Sequence, residues 1–233
     1  VALVLGIAAL VRPMTVQARL VRREMPLMVG ATLLLCALLL DGALGPLDGL
    51  LLVCAAIAYT VFAYRGANAG DTEAVLTEFN EAIHQIGSPA KSLALIVGGL
   101  ATLIAGAELL VTGAVAVAGA FGVSQAVIAL TVIAIGTSLP ELATSVVAAR
   151  KEQADVAFGN VVGSNTLNIL AVLGITALVR PIPVDGIRLL DFGMLVATAV
   201  LVLPLMARGW VLNRFEGLAL VACYGLYVYS LVG

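Results

Sequence analysis

Charge is what this chain has least of: only 11% of its residues are Asp, Glu, Lys or Arg, against roughly 25% in soluble domains. With 62% hydrophobic residues, a soluble globular protein is excluded. Histidine occurs once, at His84 in a hydrophilic stretch, so no imidazole lies in an apolar run to ligate a soft metal or act as a base there. The three cysteines, Cys36, Cys54 and Cys223, all sit inside apolar runs without paired spacing. They read as packing residues, and a disulfide framework or thiolate cluster has no support. No basic tract offers a nucleic-acid surface, and a net charge of −2 points to no polyanionic partner. Val1 opens in the middle of an apolar run without an initiator methionine or a charged flank. That run is not a signal peptide, and the chain is expected to be preceded by further sequence.

What is present is a series of apolar runs of about 15 to 25 residues, too long and too continuous for barrel strands, which alternate over about 10. Backbone in hydrocarbon must satisfy its own hydrogen bonds, so these runs are helices. Polar punctuation gives eight spans, the first partial, at 1–11, 26–40, 48–64, 92–118, 125–148, 156–179, 190–207 and 214–232. Between them, 65–91 places Leu76, Phe79, Ile83 and Ile86 at helical spacing against Glu73, Glu78 and Glu81, which reads as an amphipathic connector. Of the twelve Lys and Arg residues, one set of alternate loops holds all but Arg180 and Arg188. By the enrichment of cationic residues in cytoplasmic loops, the 65–91 connector and the 149–155 loop are cytoplasmic and both chain ends lie outside.

The chain also repeats itself. LGIAALVRPMTV at 5–16 aligns with LGITALVRPIPV at 173–184, an offset of 168 residues. The same offset, without a gap, pairs Asp48, Gly49, Leu50, Leu52, Val53 and Tyr59 with Glu216, Gly217, Leu218, Leu220, Val221 and Tyr227. Equivalent segments are separated by five spans, an odd number, so the copies run through the membrane in opposite directions. Inverted repeats of this kind build many secondary transporters, with substrate held near the midplane where the halves meet. By the same offset, the counterparts of about 92–168 would lie upstream of Val1.

Two stretches break the apolar pattern within spans: GTSLPELATS at 136–145 and GNVVGSNTLN at 159–168. A charge at the centre of a span costs about 2.5 to 3.5 kcal/mol on insertion scales, so Glu141 faces a partner or a cavity, not lipid. Pro140 removes a backbone donor and disfavours helical geometry at Leu139, while Gly136 relaxes the chain before it. The expected break exposes carbonyls near Ala134 and Thr137 at membrane depth, where protein or a water-filled cavity must cover them. The side chains on offer are oxygen donors throughout: Glu141, Thr137, Ser138, Ser164, Asn165 and Asn168. Such a set suits a hard cation, Na+ or Ca2+, and not zinc or copper.

Ser164 and Asn168 share a helix face at i and i+4, while Gly159 and Gly163 are expected to admit a close neighbouring span. These features have plainer readings too. Gly159 and Gly163 fit ordinary helix packing, Glu141 a buried structural carboxylate, and the hydroxyls bonds back to helix carbonyls. Glu108, the second intramembrane acid, fits either pairing with a neighbouring helix or a place near the site.

GTSLPE at 136–141 followed by GNVVGSN at 159–165 resembles the second alpha repeat of the sodium/calcium exchanger superfamily, especially its bacterial members similar to potassium-dependent exchangers. The resemblance extends through GAELLVTGA, both LVRP copies and EGLALVACYGLY to essentially the whole chain. It implies an all-α, ten-helix inverted-repeat fold with about eight segments present. Residues 1–64 then form the C-terminal part of the first repeat, 65–91 the connector and 92–233 the second repeat, with the alpha motif at about 106–181. It also implies electrogenic antiport of Na+ against Ca2+ by alternating access, with Glu141 as acidic ligand and Thr137, Ser138, Ser164 and the Ala134 carbonyl as further donors.

Asn168 stands where relatives carry Asp or Asn, which opens the question of K+ involvement. No resident cofactor, nucleic acid or obligate protein partner is implied. The partners are the two transported ions and the bilayer of the cell's inner membrane. A cation/proton exchanger of the same superfamily is the alternative, followed by a cation channel. An intramembrane enzyme would need a nucleophile with a base or a metal pair, and no span carries a histidine to serve.

Overall fold

A computed structural model describes residues 1–66, 88–122, 128–184, 188–207 and 209–232. The connector's Leu76, Phe79, Ile83, Ile86, His84 and three glutamates fall outside these residues. The chain is helical nearly throughout: α1 (Ala2–Val11), α2 (Ala18–Leu38), α3 (Pro46–Gly66), α4 (Pro89–Ala120), α5 (Ala134–Thr137), α6 (Leu139–Arg150), α7 (Ala154–Leu167), α8 (Leu173–Val179), α9 (Leu189–Ala207) and α10 (Arg214–Val232). Two π-helical turns, Ala129–Ile133 and Asn168–Val172, lead into α5 and α8. Among the described residues, five helices are long and apolar enough to cross a membrane. A sixth crossing is made if the broken pair 131–137 and 139–150 is one span. This is a polytopic helical membrane protein.

Hydropathy marks where a chain enters hydrocarbon, not where its helix begins. The run expected from 26 therefore starts eight residues earlier, at Ala18, because Arg19, Arg22, Arg23 and Glu24 continue the same helix and are good helix formers in their own right. Pro26 is carried inside α2.

Two compact units are present, Val1–Ile57 with Glu141–Gly233, and Ala58–Pro140. In the first, a core forms around Leu5, Ala8 and Ala9 of α1, Met25 and Met28 of α2, Phe158 and Val162 of α7, Val202 and Met206 of α9, and Leu220 of α10.

The repeat is written into this unit contact by contact. Short strands β1 (Met14–Thr15) and β4 (Val211–Leu212) pair antiparallel, Met14 opposite Leu212, and β2 (Ala43–Leu44) pairs with β3 (Ile182–Pro183), Leu44 opposite Ile182. Moving each residue by the offset of 168 turns the first pair into the second with the halves exchanged. The Val16 N–H donates to Trp210 O at 2.8 Å and the Val184 N–H to Gly42 O at 3.0 Å, again the same bond after exchange. Gly42 and Trp210, the equivalent acceptors, both have positive φ, 94° and 60°. A Cβ on Gly6 would lie 2.8 Å from the Gly217 carbonyl oxygen, and one on Gly49, the counterpart of Gly217, 2.7 Å from that of Gly174, the counterpart of Gly6. Contacts that survive exchange of the two copies are the signature of a two-fold relation, as the repeat predicts.

Membrane helices lack a hydrophobic drive to associate and gain by close backbone approach at small residues. That approach is made at Gly6, Gly217, Gly49 and Gly174. The sequence-based assignment of this role to Gly159 is corrected: a Cβ there meets nothing within 4 Å.

One end of this unit carries β1, β4 and the α6–α7 turn. There the Arg12 guanidinium pairs with Glu152 at 2.6 Å, and Gln17 donates to both carboxylate oxygens of Asp155, at 2.8 and 2.7 Å. The loops that the charge count groups together, after α1 and at 149–155, are thus in contact.

Candidate cation site

The expected break falls in the Ala58–Pro140 unit. There α5 stops at Thr137, and the Ser138 N–H donates to Ile135 O at 3.0 Å, not one turn back to Ala134 O. Pro140, in the first turn of α6, has no N–H to offer Gly136. The carbonyls at the end of α5 are thereby released from regular helical bonding, as the sequence anticipates near Ala134. Gly136 has a second reason to be glycine: a Cβ there would fall on Val111 Cγ2 of α4. Val111 is one turn from Glu108, which is exposed on the described surface.

In the other unit, Glu141 lies in the first turn of α6, three residues past the break. Its Oε2 is buried and has no hydrogen-bond partner among the described residues. Buried carboxylate oxygens are otherwise paired, because an unsatisfied buried charge costs several kcal/mol, of order 3 to 5 when a partner is removed.

On α7, Ser164 is half-buried and donates its hydroxyl hydrogen to Val161 O at 3.2 Å. The plainer reading, a bond back to the helix, is therefore correct for the hydrogen. A hydroxyl that has donated its hydrogen still has oxygen lone pairs for a metal ion. Asn168, four residues on, is exposed at the start of the π-helical turn, its N–H donating to Asn165 O and Ser164 O. Asn165 is half-buried and turned about 100° from Ser164 around the helix. Ser164→Ala, which removes one neutral donor, is expected to weaken 45Ca2+ binding by the full-length protein several-fold while transport persists.

A residue that the motif spacing left unassigned joins the two helices. Asn160 Nδ2 donates to Glu141 O at 3.2 Å, Thr144 Oγ1 at 3.0 Å and Ser145 Oγ at 2.9 Å. Thr144 Oγ1 also donates to Glu141 O, at 3.1 Å, and fully buried Ser145 reaches Ala157 O at 3.5 Å. The signal in the sequence was that Asn160, Ser164 and Asn168 stand at i, i+4 and i+8, one polar stripe along α7. From the shared turn at 151–153, Glu141 is nine residues along one helix and Ser164 ten along the other side of the hairpin from Ala154, about 14 and 15 Å of helical rise.

Among the described residues there is no group of three His, Cys, Asp or Glu side chains that could hold a metal ion. The oxygen donors named from the sequence are one carboxylate with neutral groups, a set whose chemistry suits a hard cation.

The model of the sodium/calcium exchanger protein family matches residues 1–65 and 91–233. The chain belongs to this family. The family chain is 38% identical to the putative antiporter CaxA of Alkalimonas amylolytica over 98% of its own length and 73% of that protein's. It is 38% identical to the inner membrane protein YrbG of Escherichia coli over 78% of its length and 57% of YrbG's. The sodium/calcium exchanger MaX1 of Methanosarcina acetivorans is 35% identical over 59% of the chain and 40% of MaX1. Among solved structures, the sodium-calcium exchanger NCX_Mj superposes with a TM-score of 0.76 at 28% identity, covering 99% of this chain and 71% of that one. The family chain is thus a membrane transporter of the cation-antiporter class and not an enzyme.

Proposed function

We propose that the full-length protein is a secondary antiporter that exchanges Na+ for Ca2+ by alternating access, with both ions as substrates and no resident cofactor. The observation that carries this reading is the buried, unpartnered Oε2 of Glu141 in a chain whose family is that of the sodium/calcium exchangers. A divalent ion surrounded by neutral oxygens alone would remain largely uncompensated in a low dielectric, so a carboxylate is required. In this reading Thr137, Ser138, Ser164, Asn168, Asn165 and the Ala134 carbonyl complete the ligand set with Glu141. Support for a midplane location comes from the helical rise to Glu141 and Ser164, about half of a 30 Å hydrocarbon core.

Residues 1–64 and 92–233 belong to two inverted repeats joined by a cytoplasmic connector at 65–91. The protein lies in the inner membrane, with its C-terminus outside. The inner-membrane name of YrbG and the ten-to-two division of Lys and Arg support this placement.

The coupling ion is tested in proteoliposomes of the full-length protein by 45Ca2+ uptake under an imposed Na+ gradient and, separately, under an imposed pH gradient. Uptake driven by Na+ and indifferent to the pH gradient is expected. Uptake driven only by the pH gradient would make the protein a Ca2+/H+ exchanger. Adding K+ to the Na+ arm reports whether the neutral amide of Asn168 removes K+ from the cycle, and no K+ requirement is expected.

A further inference from the structure

The turn that carries Glu141 is the first of α6. It follows directly on the interruption at Ser138, and Pro140, the residue before Glu141, contributes no backbone donor. Beyond its own helix, it is attached to α7. Asn160 Nδ2 donates to the Glu141 carbonyl at 3.2 Å, and the same two hydrogens are shared with Thr144 Oγ1 at 3.0 Å and Ser145 Oγ at 2.9 Å. Thr144 Oγ1 adds a second donation to that carbonyl at 3.1 Å. The backbone at Glu141 is thereby tied to the helix that bears Ser164 and Asn168, one and two steps of four residues beyond Asn160.

We propose that Asn160 is a positioning residue for cation binding: its amide holds the first turn of α6 so that the Glu141 carboxylate is presented at a fixed distance from the oxygens of α7. This rests on the cation-site reading above. Asn160 touches no ion in this scheme. It acts on the acidic ligand through that ligand's own backbone, as groups behind a metal ligand commonly do, with losses of about 10- to 100-fold in affinity when they are removed.

The three acceptors differ chemically, and this makes a clean test. The hydroxyls of Thr144 and Ser145 can rotate and donate instead of accept, whereas the Glu141 carbonyl can only accept. Asn160→Asp therefore keeps the shape but can be met by the two hydroxyls only if Thr144 turns its hydrogen from Glu141 O and Ser145 turns its own from Ala157 O, so the side-chain donations to the Glu141 carbonyl are lost. It also places a negative charge beside the site, which by itself would draw a cation more tightly. A loss of affinity in this variant is thus the loss of the tether and not an effect of charge. Ser145→Ala does the converse, removing a buried member of the network and leaving the bond to Glu141 in place.

The experiment is Na+-driven 45Ca2+ uptake by the full-length protein in proteoliposomes, analysed for KM and maximal rate. Equilibrium 45Ca2+ binding in detergent and a melting curve for each variant accompany it. Asn160→Asp is expected to raise KM and the binding constant about tenfold or more with a maximal rate within about twofold of wild type, and Ser145→Ala to leave KM unchanged even if it melts lower. A wild-type KM in folded Asn160→Asp would overturn the proposal. So would an equal rise in Ser145→Ala, which would make the network a packing device. If Asn160→Asp is not monodisperse, Asn160→Ser, too short to reach the Glu141 carbonyl and uncharged, is read by the same criteria. Glu141→Gln, run alongside, separates the two levels: if it transports normally the cation-site reading fails, whereas if it is inactive and Asn160→Asp is normal only the positioning role fails.

Discussion

Glu141→Gln is expected to abolish Na+-driven 45Ca2+ uptake, by at least a hundredfold, in a protein that remains inserted and monodisperse. The substitution is nearly isosteric and keeps one carbonyl oxygen. It replaces the other oxygen with an NH2 group that has no lone pair for a cation, and it removes the only negative charge among the candidate ligands. In water the lost attraction would be modest, about 1 kcal/mol for two unit charges at 4 Å, but it grows severalfold in a protein environment and doubles again for a divalent ion. Folding should not suffer. Oε2 has no hydrogen-bond partner to lose among the described residues, and neutralising a buried carboxylate removes a desolvation cost from the ion-free protein. Retained uptake in a well-folded Glu141→Gln protein would mean that the carboxylate is structural. A melting temperature at or above that of wild type, with uptake gone, is the combination expected.

The second large effect is on assembly. Gly49→Val is expected to give little or no monodisperse protein, because a Cβ there would sit 2.7 Å from both the Gly174 carbonyl oxygen and the Leu178 amide nitrogen. Both neighbours are backbone, so no rotamer change relieves them. Adding even one or two methylenes to a well-packed site costs about 1 to 3 kcal/mol, and valine adds three carbons between two helices in backbone contact. Gly217→Val should fail in the same way, since Gly217 is the counterpart of Gly49 in the other copy and a Cβ there meets Gly6 O at 2.8 Å and Ala9 Cβ at 2.9 Å. Gly193→Val, in α9 with nothing within 4 Å, is the control and should express and elute like wild type. Size-exclusion profiles of the three proteins decide the matter. A normal profile for Gly49→Val would show that the helices separate without penalty.

The features legible from sequence were those with a local or periodic cause. Pro140 lacks an N–H, and the chain breaks at Ser138. The 168-residue offset aligned Asp48 with Glu216, and in each copy that acid accepts a bond from the amide three residues before it, Gly45 at 2.8 Å and Asn213 at 2.9 Å. Contacts across long separations were not legible. Nothing in GNVVGSN says that its first asparagine reaches three acceptors on another helix, and the GxxxG spacing at 159–163 drew attention to a glycine whose neighbourhood is open. The glycines that do admit a neighbour, Gly6, Gly49, Gly174 and Gly217, lie in the repeat itself. A reading of the repeat for its conserved small residues between copies, rather than for its handedness alone, would have found them.

The exchanged strand pairs bear on how the protein is made. Met14 pairs with Leu212, so the loop after α1 must wait for 198 further residues before its partner leaves the ribosome. At about 5 to 20 residues per second, that interval is on the order of ten to forty seconds. Throughout it the backbone face of α1 at Gly6, later covered by Gly217, stands open in the bilayer to lipid or to whatever escort the insertion machinery provides. The symmetry-related pair, Leu44 with Ile182, closes sooner, after 138 residues. Assembly of this symmetric fold is therefore asymmetric in time: the seam of Leu44 and Ile182 can close before α10 is made, and that of Gly6 and Gly217 only once α10 has followed.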